Sequence, residues 1–100
     1  MQGKKYDGDK PMVSLFPAES ILATARVLTF GAKKYSRDNW KFVANAEQRY
    51  LDAAMRHMLD YTTGNKIDAE SGENHLAHAM CCLAFLLYAD ETGHQFPTAT

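Results

Sequence analysis

Two histidines three residues apart, His75 and His78, stand at the polar entrance of a stretch that then runs almost wholly apolar to Ala89. On a helix, residues three apart share a face. Cys82 lies one further turn along that face, and a third histidine, His57, sits in the preceding helical segment. Zinc takes imidazole and thiolate ligands in tetrahedral sets, so this spacing is compatible with a zinc ion. A paired-cysteine motif is missing and Cys82 is embedded among apolar residues, so capping or hydrogen bonding to neighbouring polar groups is the commoner use of such histidines.

Three other constellations carry possible chemistry. Asp60, Asp68, Glu70 and Glu73 cluster around a helix junction. Carboxylates so gathered could hold magnesium, which takes oxygen ligands and keeps several waters for a phosphate. The alternative is a solvated loop whose charges favour the next helix N-terminus. The segment GAKKYSRDNW, 31–40, sets Lys33, Lys34 and Arg37 beside Tyr35, Asn39 and Trp40. Cations for phosphate, an amide for a base edge and rings for stacking are what a nucleotide pocket needs. Finally, Arg56-His57 falls in mid-helix, with Arg49 seven residues earlier. An arginine buried there demands an anion, either a ligand phosphate or a carboxylate such as Asp52, Asp60 or Glu73.

The elements that must position these groups are helical. Pro17 can open a first helix, and Ile21, Ala25, Leu28, Ala32 and Tyr35 then recur on one face, which predicts a helix over 17–35. Gly31 falls inside it, where close packing or a ligand could require the missing side chain. A polar loop over 36–45 precedes a second helix, about 46–63. Its expected inward face is Leu51, Ala54, Met55, Met58 and Tyr61 or Thr62, and it stops at Gly64-Asn65. Ser71 is the expected N-cap of the third helix. Residues 1–16 read as an extended arm and 92–100 as a frayed, flexible tail. Nothing alternates with period two, so the fold class is all-α: a single domain over 1–100 with three main helices.

From Ala77 to Ala89 only His78 is polar. A helix apolar on every side must be covered on every side, and a chain of 100 residues buries too little surface to do that alone. A homo-oligomeric helical bundle is therefore expected. Apolar residues at 46%, charged residues at 23% and a net charge of -1 describe an ordinary soluble domain. They offer no general pull toward a nucleic acid polymer or a membrane surface. The adjacent Cys81 and Cys82 cannot join within a helix and read as small core residues of a reducing compartment. The polar N-terminus carries no leader-like apolar run, so a cytoplasmic protein is expected.

GDKP at 8–11, ARVLTFGAKKY at 25–35, NW at 39–40, RYLDAAMRHMLDY at 49–61 and IDAESGENHLAHAMCCLAFLL at 67–87 together resemble the phage dATP/dGTP diphosphohydrolase N-terminal domain family, relatives of the MazG-like all-α nucleotide pyrophosphatases. The resemblance implies an oligomeric helical protein that handles nucleotides. By that resemblance a purine deoxynucleoside triphosphate is cleaved to the monophosphate and pyrophosphate. Lys10, Lys33, Lys34, Arg37, Asn39, Trp40 and Arg56 would bind the nucleotide, and Asp60, Glu70 and Glu73 would bind Mg2+. His57, Asp60, His75 and His78 would serve catalysis. MazG-like enzymes carry metal carboxylates as E-x-x-E and E-x-x-D, where this chain has His75-x-x-His78 and Arg56-His57-x-x-Asp60. Cationic or neutral side chains there suit anion binding better than water activation. The alternative implied is a metal-free phage sponge that sequesters a nucleotide immune signal, such as a cyclic oligonucleotide or an ADP-ribose derivative.

Overall fold

A computed structural model describes residues 2–99. Three helices carry the fold: α1 (Ala18–Lys34), α2 (Ala46–Thr62) and α3 (His75–Thr92). Short 3-10 turns at Val13–Leu15 and Asn39–Phe42 lie in the connections, and among the described residues there is no strand, only an isolated bridge between Ile67 and Asn74. The all-α expectation holds, with helix ends within one residue of those read for α1 and α2. Residues 2–16 form an exposed arm.

α3 is the central element. α1 packs on one side of it through Val27 against Ala77 and Cys81, with Ala23 and Phe85 alongside. α2 packs on another side through Ala54 against Ala79 and Cys82, with Tyr50 and Ala53. These contacts use small side chains, which let helix backbones approach closely.

The inward faces differ from those expected. On α1 the covered positions are Ala23, Thr24, Val27, Phe30 and Gly31, whereas Ile21, Ala25, Leu28, Ala32 and Tyr35 face solvent. On α2 the covered face is Ala46, Tyr50, Ala53, Ala54, His57 and Tyr61, while Leu51, Met55, Met58 and Leu59 stand exposed. Two apolar faces compete on each helix, and the one built of smaller residues wins the contact with α3. The larger residues are left outside. Among the described residues no large side chain is fully buried.

The third helix also begins later than expected. Asn74, not Ser71, is its N-cap, and the Asn74 Oδ1 accepts the Leu76 N–H at 2.8 Å. Gly93 closes it in the left-handed region, φ 75°, donating its N–H to Ala89. The chain beyond, expected to fray, is laid back on the molecule instead. The Asn45 N–H donates to the Pro97 carbonyl at 2.9 Å, and a His94 ring nitrogen lies 3.0 Å from the Lys41 carbonyl oxygen. His94 and Phe96 thereby meet Trp40 edge-on. No helix among the described residues is long and apolar enough to cross a membrane.

Candidate functional site

Because α1 and α2 each lie against α3, a groove of about 1160 Å³ opens between them. Its floor is His78, Cys81, Cys82 and Phe85 of α3. One wall is the C-terminal half of α1 and the loop after it, and the other is Arg49, Tyr50, Ala53, Arg56 and His57 of α2. Asp68 and Glu70 reach the groove from the 64–74 loop. A Cβ at Gly31 would meet nothing within 4 Å, so packing does not require this glycine. It lines the groove.

The groove gathers Lys34, Arg37, Asn39, Trp40, Arg56, His57, Glu70 and His78 of the residues singled out in the sequence. Lys33 is exposed on α1 and Lys10 is exposed in the arm, and neither lines it. Arg56 is exposed rather than buried, and neither it nor Arg37 makes an ion pair among the described residues. Trp40 is spent on packing: it stacks on Phe85 with centroids 4.4 Å apart and planes 9° from parallel, and meets Tyr88 edge-on. Tyr35 is the freer ring, 65% exposed at the groove wall.

The carboxylates expected to hold magnesium are dispersed. Glu70 pairs with Lys34 at 2.5 Å, and Glu73 pairs with Arg26 at 2.9 Å. Both pairs tie the 64–74 loop to α1. Glu70 in turn holds the Lys34 ammonium pKa above its ordinary range. Asp60 lies apart from them, with its Oδ2 3.8 Å from the His75 Nε2. Among the described residues Asp60, Glu70 and Glu73 do not gather around one point, whereas His57, Asp68 and His75 do.

What converges instead is a histidine cluster. His57 Nδ1 lies 2.8 Å from His75 Nδ1, and the His57 ring stacks on His78 at 4.6 Å. The 64–74 loop presents Asp68 to them. Its backbone is cross-braced by Asp68 N–H to Glu73 O, Gly72 N–H to Asp68 O and His75 N–H to Lys66 O, each 2.8 Å. Gly72 takes φ 73° in that turn, where a side chain would be strained. The Ser71 N–H donates to Asp68 Oδ2 at 2.9 Å, and the Ser71 hydroxyl lies 2.6 Å from His78 Nε2. Asp68 Oδ2 is itself 3.6 Å from that nitrogen.

Burial, with the His78 and His75 rings beside it, pushes the His57 pKa below the ordinary imidazole range. Burial does the same to His78, against the opposing pull of Asp68. Burial acts to raise the Asp68 carboxyl, but the Ser71 N–H and hydroxyl and the nearby His78 and His57 rings outweigh it and hold the pKa low. Burial pushes the Cys81 thiol up to about 12 and raises Cys82. Neither cysteine is a ready thiolate ligand, and Cys82 does not join the cluster. Asp68 is the central residue that spacing did not single out from the other acids. Its signal was the turn chemistry of Asp68-Ala-Glu-Ser71-Gly72, which aims a carboxylate back at the next helix.

The family described as dATP/dGTP diphosphohydrolase, N-terminal, matches residues 1–98. The chain belongs to that family. A dATP/dGTP diphosphohydrolase of Salmonella phage PMBT28 is 39% identical over 88 residues, which is 88% of this chain. The chain spans 30% of that relative's length. No solved structure matches it.

Proposed function

We propose that this chain binds a purine deoxynucleoside triphosphate in the groove between α1 and α2. The observation that carries the reading is that Arg37 and Arg56, two guanidinium groups without a carboxylate partner among the described residues, line the same groove. A guanidinium grips two phosphate oxygens at once, which an ammonium cannot do. On the α1 wall Lys34, itself paired with Glu70, lies beside Tyr35, which offers a stacking face, and Asn39 offers an amide for a base edge. The phage relative's name supplies the purine deoxynucleotide class.

That name also points to hydrolysis, with water cleaving the bond between the α and β phosphates to release the monophosphate and pyrophosphate. The engagement of Glu70 and Glu73 with Lys34 and Arg26 favours a second reading. In it the chain binds without turnover and acts as a sponge for a nucleotide signal. Calorimetric titration with dATP, dGTP, a cyclic dinucleotide and an ADP-ribose derivative, with and without Mg2+, separates the two. Chromatography of the recovered ligand completes the test. A monophosphate and pyrophosphate establish the enzyme, and an intact, tightly bound ligand establishes the sponge. No binding by any of them removes both readings.

We further infer that the chain works as a homo-oligomer, a reading that its exposed apolar side chains support. Met55 and Leu59, one turn apart on α2, are 51% and 62% exposed, and Leu83 and Leu87, one turn apart on α3, are 43% and 59% exposed. Large apolar patches of this kind mark association surfaces. A second copy of the chain is the occupant that lets α3 be covered on all sides.

A further inference from the structure

His75 is 4% exposed, the one buried polar or charged residue among those described, and its Nε2 has no hydrogen-bond partner. Its Nδ1 faces the His57 Nδ1 at 2.8 Å. Between two neutral rings one nitrogen must donate and the other accept. If His75 Nδ1 carries the proton, its Nε2 is a bare lone pair turned toward Asp60 Oδ2 at 3.8 Å. If His57 Nδ1 carries it, the His75 Nε2–H is buried without an acceptor in reach. Either neutral tautomer leaves the buried His75 Nε2 unsatisfied, which is unfavourable. The network is incomplete as a purely structural device.

A cation between the two Nδ1 atoms takes a lone pair from each ring and fixes the His75 proton on Nε2, the side of Asp60. We propose that His57, His75 and Asp68 hold a divalent transition-metal ion of the zinc type at the edge of the groove. The three residues already offer one ligand atom each within 4.8 Å of one another. Metal–nitrogen bonds of about 2.0–2.1 Å would need the two Nδ1 atoms roughly half an ångström further apart, a small rotation of either ring. With its Nδ1 on the metal, His75 carries its proton on Nε2, the side that faces Asp60 Oδ2 at 3.8 Å; closing that separation to hydrogen-bond distance makes the carboxylate–histidine–metal relay common in such sites. Ser71 orients Asp68 and His78 in the same way from the other side. Two imidazoles and one carboxylate select a borderline ion over Mg2+, which prefers all-oxygen surroundings. His57, Asp68 and His78 line the groove while His75 is buried behind them. The ion's remaining positions therefore belong to solvent or to a groove ligand.

The inference goes beyond the nucleotide reading, and its test contains no nucleotide, so either can fail alone. Untagged full-length chain, stripped with a chelator, is titrated with Co2+ and followed by its visible d–d absorption and by calorimetry. The expected result is saturable binding of a single ion per chain that Zn2+ displaces and excess Mg2+ does not. Asp68→Asn and His57→Gln weaken Co2+ binding by more than about tenfold, and His94→Asn leaves it unchanged. Circular dichroism reports whether the variants keep their helices. Should they unfold, imidazole 15N spectra of the wild-type chain decide: Zn2+ shifts the His57 and His75 ring nitrogens and leaves those of His94 in place. Absence of saturable Co2+ binding, folded variants that bind as wild type, imidazole signals that do not move, or equal competition by Mg2+ would each overturn the assignment.

Discussion

The His57 Nδ1 of α2 lies 2.8 Å from the His75 Nδ1 of α3, joining the middle of one helix to the first residue of the next. This pair locks the two helices at the point where the 64–74 loop delivers Asp68. It is also the seam between the packed side of α2 and the groove.

Replacing His75 by alanine removes a buried partner from His57 and leaves a void at the start of α3. The metal-free chain is expected to lose about 2–4 kcal/mol, combining a broken buried hydrogen bond with a cavity. Urea denaturation measures it. A loss under about 0.5 kcal/mol would show that the pair does not hold α2 to α3.

Arg56→Ala is expected to weaken purine deoxynucleoside triphosphate binding by at least ~1.5 kcal/mol, more than about tenfold, by removing a charge-assisted contact to phosphate. Lys33→Ala, outside the groove, is expected to bind as wild type. Equal affinity of the folded Arg56→Ala chain would remove Arg56 from the phosphate site.

Leu59→Asp places a charge within the exposed apolar stripe of Leu51, Met55, Met58 and Leu59. The outcome expected in light scattering is an oligomer for the wild-type chain at micromolar concentration and a smaller species for the variant. A wild-type monomer would refute the reading of these faces as subunit contacts.

The cysteines give a pH prediction. With its pKa at about 12, the Cys81 thiol is thiolate to roughly one part in ten thousand at pH 8, and the fraction rises tenfold per pH unit. Both cysteines are buried. Reaction with an aromatic disulfide reagent should therefore be slow in native protein from pH 7 to 9 and fast for both thiols in denaturant. Rapid native labelling at pH 7 would mean that α3 is exposed along Cys81 and Cys82.

Local chemistry wrote much of this molecule into its sequence. Pro17, Gly64 and Gly93 punctuate the helices, the lack of period-two alternation rules out strands, and the apolar run after His78 identifies the central helix. These signals act over one or two turns of chain, so they survive without knowledge of neighbours. Which face of each helix turns inward was decided only by tertiary packing. Val27 and Ala54 meet α3 because small side chains let the helix axes close, leaving Leu28, Met55 and Leu59 outside. Glu70 and Glu73 shared a sequence neighbourhood with Asp68, yet Lys34 and Arg26 of α1 drew them away, and the Ser71 turn pointed Asp68 at the histidines. Charge pairing depends on separation in space, and those partners stand 36 and 47 residues away along the chain. Spacing along the chain supplied the candidate ligands; three-dimensional closure alone selected which of them meet.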